Sequence, residues 1–406
     1  MRRSWVAAGV AAGLGLAAGA VGAGDALMAR AERQFNRPPP PPRPVADAVR
    51  ELHRELRIVD LHADSLLWGR DLLRRGDRGH VDIPRLIEGN VALQVLAASI
   101  KVPRNLNIER NDDRTDNVAL LALAQRWPPS TWRSLLARAL HLAGRAHRLA
   151  ARSDGRFRII VGGDDLARYL EQRATDPGLT AGLLAIEGAH ALDDDPANLD
   201  AAVAAGYRMI SPAHFFDTVF GGSAHGVRKG GLTSLGRELV ARAEDRGVVV
   251  DVAHASAATI DDVLALARRP VVASHTGVRA ICDNGRNLPD AQVRGIAGSG
   301  GVVGIGFWPT ACGGPDPSWI ARSIAHAASV AGPDHVALGS DWDGAVPVPF
   351  DAAGIVQLTG ALLAEGFDRA AIAGFMGGNA LRVLAQVLPA GPGRAADPPR
   401  PTGGAC

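Results

Sequence analysis

One pattern constrains this chain more than any other: a short apolar run closed by a His, Asp or Glu, repeated along most of its length. Ile58-Val59-Asp60-Leu61 is the first, a largely apolar stretch suited to a buried parallel strand, and it runs into His62 and Asp64. In an extended backbone, residues two apart share a face, so this imidazole and carboxylate leave one strand end side by side. That pairing suits a divalent cation. A lone His-x-Asp is more often a turn with a solvated histidine; the repetition is what gives it weight.

Further strand-like runs lie at Val91–Ser99, Leu183–Ile186, Arg208–Ser211, Val248–Val252, Val271–Ser274, Gly301–Gly306 and His335–Gly339. Helical patterns separate them, at 46–57, Ala197–Ala205, Leu232–Arg246, Ala257–Arg268 and Asp290–Ala297. Repeated βα units imply parallel strands joined by right-handed crossovers. Eight of them predict an α/β fold of the (β/α)8 TIM-barrel type, which a chain of 406 residues accommodates. A doubly wound open sheet is the alternative, and it would bind ligand at a single switch point. Polar residues at nearly every strand end favour closure. Within 105–152 the residues Trp132, Leu135, Leu136, Ala139, Leu142 and Ala143 follow helical spacing, with Ser130 or Thr131 as the cap. This segment reads as a helical insertion, packed on the barrel or forming part of a dimer face, with His141 and His147 at the surface.

The strand ends, in order, carry His62 with Asp64, then Glu187, His214, His254, His275, and Asp341 with Asp343. On a closed barrel all of them meet at the C-terminal rim, where active sites sit. Singly each has a plain reading: His254 a capped core histidine, Glu187 a turn acid, Asp341 a loop acid or N-cap. Together, in one register, they are hard to explain as caps, because buried carboxylates and imidazoles are costly unless paired or metal-bound. His190, His225 and His326 lie off these positions and read as ordinary histidines, and His80 is given no role.

The formal net charge of +2, with lysine only at Lys101 and Lys229 and arginine spread without a block, gives no argument for nucleic acid. Three cysteines, Cys282, Cys312 and Cys406, make no disulfide framework. Arg2 and Arg3 precede an apolar, small-residue run from Trp5 to Ala23, with Val21 and Ala23 placed for signal-peptidase cleavage. The run is close to the roughly 20 residues needed to span a bilayer. Residues 1–23 therefore read as a signal peptide or an uncleaved signal anchor, and the protein as exported, periplasmic or tethered on the extracytoplasmic side. Residues 24–45, with prolines from Pro38 to Pro42, read as a stiff linker, 46–388 as the barrel domain, and 389–406 as a disordered tail.

Several segments carry a family resemblance. Asp60-Leu-His62-Ala-Asp64, Ile186-Glu187-Gly188, Asp251-Val-Ala-His254-Ala-Ser256, Ser274-His275-Thr276, Arg286-Asn287-Leu-Pro289-Asp290 and Gly339-Ser-Asp341-Trp-Asp343-Gly344 resemble the membrane (renal) dipeptidase family of zinc peptidases. Ser223 to Thr233, with Gly236 and Glu238, resembles its bacterial members, and the match runs from about residue 50 to about residue 385. The resemblance implies a barrel holding two Zn2+ ions, His62 and Asp64 on one, His254 and His275 on the other, and Glu187 bridging. No lysine stands at a strand end, so a carbamylated-lysine bridge has no candidate. His214 resembles the histidine that polarises the scissile carbonyl, Arg286 the arginine that pairs with the substrate carboxylate, and Asp341 the acid near the substrate amine and attacking water. Asp343 has the same strand parity as Asp341, so the choice between them rests on the resemblance. The sequence around His214, Ser-Pro-Ala-His-Phe-Phe, departs from the family's commoner Leu-Thr-His-Asn.

The implied activity is hydrolysis of small dipeptides by a metal-bridging hydroxide, since two close zinc ions acidify a shared water. Arginine suits a carboxylate because its planar fork meets both oxygens. Asp251, three before His254, sits on the wrong strand face to be that ligand's acceptor automatically. Two other readings stand beside this one: a related metal-dependent barrel hydrolase acting on another small amide or lactone, and a non-catalytic exported metal-binding protein. Family members are often dimers, which leaves a homodimer open.

Overall fold

A computed structural model describes residue 24 and residues 26–391; the expected signal segment, 1–23, and nearly all of the expected tail lie outside the described residues. The apolar runs form strands β1 (Ile58–Ala63), β2 (Val91–Ser99), β3 (Phe157–Ile159), β4 (Thr180–Glu187), β5 (Tyr207–Ile210), β6 (Val249–Val250), β7 (Val272–Thr276), β8 (Val302–Ile305) and β9 (Val336–Leu338). All ladders are parallel, and the strand order is β6-β5-β4-β2-β1-β9-β8-β7. The two ends of this path meet through a parallel bridge between Asp251 and Val272, with Val252 N–H donating to Val272 O at 2.7 Å. Eight strands therefore close into the expected barrel. The short β3 is additional and pairs only with the start of β4.

One apolar cluster takes residues from every strand of the ring: Val59, Leu61, Leu93, Val95, Leu183, Met209, Val249, Val272, Val302 and Ala337, among others. Val383, Leu384 and Tyr169, from helices Asn379–Val387 and Gly163–Thr175, join the same cluster and plug the end of the barrel away from the strand tips. A larger cluster joins the outer strand faces to the surrounding helices. A barrel interior filled this way is a packed core, so only the rim at the strand ends is left for chemistry.

Before β1 come helix α1 over 26–35 and helix α2 (Asp47–Glu55). Helices α3 (Ile83–Glu88), α4 (Val118–Ala124) and α5 (Leu135–Ala151) follow between β1 and β3. The segment expected as a linker is thus partly helical and docked: Met28, Glu32 and Asn36 are buried. Pro38 to Pro42 line one cavity together with Arg85, Phe350, Asp351 and Gln357. Beyond Leu388, Pro389 O accepts from Gly163 N–H at 2.9 Å. The insertion also differs in detail from its expectation. Its helix α5 begins after Ser134, whose hydroxyl accepts from Ala137 N–H, so neither Ser130 nor Thr131 is the cap. Those two lie in a 3-10 turn that leaves Trp132 exposed. Pro128 and Pro129 explain the shift: they favour a turn and delay the start of the helix. Among the described residues, no helix is long and apolar enough to cross a membrane.

Candidate metal centre

The rim assembles as the strand order requires. β1 ends in His62 and Asp64, and β4, two strands over, ends in Glu187. His214 follows β5, His254 follows β6, His275 lies in β7, and Asp341 follows β9. The pairing register slips between Asp60 and Ala63 on β1 and between Ala273 and Thr276 on β7. Such irregularities re-aim side chains at barrel rims, and here they fall at His62 and His275. Simple alternation along a strand therefore does not orient these two side chains.

Glu187 is the hub. Its Oε1 lies 3.1 Å from His254 Nε2 and 3.5 Å from both His62 Nε2 and His275 Nε2. Its Oε2 lies 3.4 Å from His214 Nε2. His254 Nε2 and His275 Nε2 face each other at 2.8 Å, and His62 Nε2 lies 3.6 Å from Asp64 Oδ2 and 4.0 Å from Asp341 Oδ1. Gly188 follows Glu187 with φ +95°, and a Cβ there would collide with the His190 ring, so glycine lets the chain turn sharply beneath the carboxylate. His254 (φ 62°) and Asp341 (φ 59°) hold the left-handed region without being glycine, a strained backbone of the kind that gathers at functional sites.

The donor set fits divalent cations. Four-coordinate zinc, with nitrogen ligands at about 2.0–2.1 Å, spaces its donor atoms by about 3.3 Å, and the hub distances straddle that value. His62 Nε2, Asp64 Oδ1, Glu187 Oε2 and His214 Nδ1 are buried without hydrogen-bond partners among the described residues. Orphaned polar atoms of this kind are expensive unless something binds them. His62, Glu187 and His275 form one group within metal-binding reach, as do Glu187, His214 and His254, and also His62, Asp64 and Asp341. Glu187 and His62 are shared between groups, so the side chains make one continuous centre and not a set of separate sites.

Electrostatics point the same way. Burial pushes the Glu187 carboxyl well above its ordinary value and raises Asp341 to about 8. Burial opposes charge on His62, yet Glu187, Asp64 and Asp341 outweigh it and lift its pKa to about 10. His214, His254 and His275 are driven well below the ordinary histidine value, first by burial and then by neighbouring positive groups. Neutral imidazoles with free lone pairs are the form a metal takes.

The surrounding contacts sort out residues that sequence reasoning left open. Asp251 accepts from Ser274 Oγ at 2.6 Å, and that hydroxyl lies 2.9 Å from His275 Nδ1, so Asp251 orients His275 through Ser274. His225, expected to be ordinary, sets its Nε2 3.1 Å from His254 Nδ1 and orients that imidazole. The only signal for it in the sequence was its place within the Ser223–Thr233 segment. His190 packs on Phe216 behind Gly188, and His326 pairs with Asp290 at 2.9 Å, away from the centre. Asp343 turns away from the cluster: it is fully buried, paired with Arg70, and accepts from Ser65 Oγ at 2.6 Å and His80 N–H at 2.7 Å. Asp341 alone of the two faces His62. Arg286 is buried with its Nη2 donating to His275 O and its Nε unpartnered, and burial lowers its pKa to about 10.

The family model of the membrane dipeptidases, peptidase family M19, matches residues 46–391. This chain belongs to that family. A Klebsiella pneumoniae chain known as an uncharacterized protein in the pqqA 5′ region is 35% identical over 255 residues, 59% of this chain and 92% of that one. The dipeptidase aclJ of Aspergillus oryzae is 28% identical over 351 residues, covering 81% and 78% of the two chains. A solved metallopeptidase from Rhodobacter sphaeroides, liganded with a phosphinate mimic of the dipeptide L-Ala-D-Ala, superposes with a TM-score of 0.67. It is 27% identical, and the match covers 82% of this chain and 99% of that one. As a member of family M19, the protein is a metal-dependent dipeptidase built on a barrel.

Proposed function

We propose that the protein hydrolyses small dipeptides with two zinc ions held by His62, Asp64, Glu187, His254 and His275. The observation that carries this reading is the crowding of three imidazole nitrogens within 3.1–3.5 Å of one oxygen of a buried Glu187. In this reading His62 and Asp64 hold one ion, His254 and His275 the other, and Glu187 bridges them. When bound, the ions supply Lewis acidity and a water acidified toward hydroxide. The remaining roles belong to the chain itself. Arg286, its guanidinium anchored through Nη2 on His275 O and unpartnered at Nε, pairs with the substrate's C-terminal carboxylate. His214, kept neutral by burial, donates to the scissile carbonyl oxygen as charge develops there. Asp341, with its raised pKa, takes the proton of the attacking water and passes it to the leaving amine.

Glu187→Ala tests this directly. The variant is expected to lose bound zinc and dipeptide turnover together; full zinc content with full turnover would sink the proposal. Because the Rhodobacter relative binds an L-Ala-D-Ala mimic, Ala-D-Ala belongs in the first substrate panel, with L,L-dipeptides, N-acyl amino acids and lactones. Preference for an N-acyl amino acid or a lactone would move the assignment to a related barrel hydrolase. Export rests on the Arg2-Arg3 and apolar 5–23 pattern. Cell fractionation is expected to find the protein outside the cytoplasm, in soluble form if the leader is cleaved and with the membrane if it is retained. The oligomeric state is open to sedimentation.

A further inference from the structure

The loop 341–345 is an expensive piece of backbone. Asp341, Asp343 and Ala345 all hold left-handed φ values, 59°, 62° and 62°, which side-chain-bearing residues adopt only when something else holds them there. Part of that restraint comes from the barrel: Asp64 N–H donates to Trp342 O at 2.9 Å, and Trp68 Nε1 donates to Asp343 O at 2.8 Å. A further part traces to residues 32–37, ahead of the part of the chain that the family model matches.

Three links run from that segment to the loop. Asn36 Oδ1 accepts directly from Ala345 N–H at 2.9 Å. Arg37 O lies 2.9 Å from His80 Nε2, while His80 Nδ1 accepts from Asp343 N–H at 3.0 Å. The amide fixes the tautomer, so the Nε2 proton points at Arg37 O. Glu32, buried at the end of helix α1, pairs with Arg70, which in turn pairs with the Asp343 carboxylate. Arg78 closes the Glu32 side with a 2.8 Å contact. A buried Arg70 facing Asp343 alone would leave part of its fork unpaired, and Glu32 supplies the missing acceptor.

We propose that segment 32–37 is a positioning strap for the dipeptidase reaction: Glu32, Asn36 and the Arg37 carbonyl lock the 341–345 loop so that Asp341 is aimed at the metal centre. The inference rests on the role proposed above for Asp341. It assigns a function to a stretch whose composition reads as a spacer. Misplacing a reacting group by an ångström costs about a hundredfold in rate, so a slackened loop lowers kcat before it touches binding.

The test uses the full chain, zinc-loaded, with Glu32→Gln and Asn36→Ala. Each is expected to lower kcat for a dipeptide about tenfold or more while KM and zinc content stay near the parent values; the melting temperature should hold in Asn36→Ala and fall in Glu32→Gln, which breaks a buried ion pair. Glu32→Asp should restore part of the loss. Hydrogen exchange across 339–350 should quicken in Asn36→Ala, a readout independent of turnover. Arg33→Ala, on the same helix and bonded to Asp77 at the surface, should leave kcat unchanged. Parent kcat in both strap variants overturns the inference, and so does a loss of zinc in step with activity in either variant or of melting temperature in step with activity in Asn36→Ala. Asp341→Asn separates the two claims. If it is dead while the strap variants are active, only the strap fails; if it is active, the role of Asp341 fails and takes the strap with it.

Discussion

Glu187 is a carboxylate with 4% of its surface exposed, ringed by imidazoles and with its Oε2 lacking a hydrogen bond among the described residues. Burial pushes the Glu187 carboxyl well above its ordinary value and the carboxylates around His62 lift that imidazole to about 10, whereas a bound cation takes both groups in their deprotonated forms. Zinc loading at pH 7 should therefore release protons. Calorimetry in buffers of different ionisation enthalpy would measure the number, and zero release would contradict this account of the apo site. His225 touches no expected metal position directly, but its Nε2 orients His254. His225→Ala is expected to weaken zinc binding about 10–100-fold, the usual cost of losing a ligand's orienting partner, as read by chelator competition. Asp343, the near-twin of Asp341 in sequence, has the opposite role: burial would raise its pKa, yet Arg70 and its other partners hold it below the ordinary carboxylate value. Asp343→Ala takes from the buried Arg70 one of its two carboxylate partners and should cost about 3–5 kcal/mol of stability, measurable by urea unfolding.

At the scale of elements, the strand tips matter more than the strands. Slipped register at the ends of β1 and β7 and positive φ at Gly188, His254 and Asp341 turn the side chains toward one point. The helical insertion follows ordinary rules. Ser134 caps α5 and also donates to Asp193 at 2.5 Å, while Asp193 accepts from Leu135 N–H at 2.7 Å. Ser134→Ala is expected to lose about 1 kcal/mol, seen as a lower urea midpoint with the slope retained and the specific activity unchanged. A loss of activity in that variant would tie the insertion to the site through Asp193, six residues after Glu187.

For the whole molecule, the barrel brings together residues as far apart in sequence as His62 and Asp341, and binding there feeds back on folding. A ligand that binds only the native state stabilises it by about 2.7 kcal/mol at a hundred times its dissociation constant. Stripping metal should thus lower the melting temperature, and restoring zinc should raise it in a concentration-dependent way. The same closure explains why the N-terminal segment reaches the site: α1 packs beside the loop after β1, where Arg70 and Arg78 meet Glu32.

The amino-acid sequence alone determined the eight βα units and the residues at their ends, because apolar periodicity and strand-end chemistry are local properties that survive without a partner in view. It did not reveal β3, the docked helix α1 or the helix plugging the barrel floor, whose identity depends on what they pack against. Strand parity alone could not separate Asp341 from Asp343, a choice that rested on the family resemblance, or raise His225 above His326, since parity is blind to register slips and to left-handed residues. Those assignments were decided by tertiary structure, through the charges each side chain meets once the ring has closed: Arg70 for Asp343, His62 for Asp341, and His254 for His225.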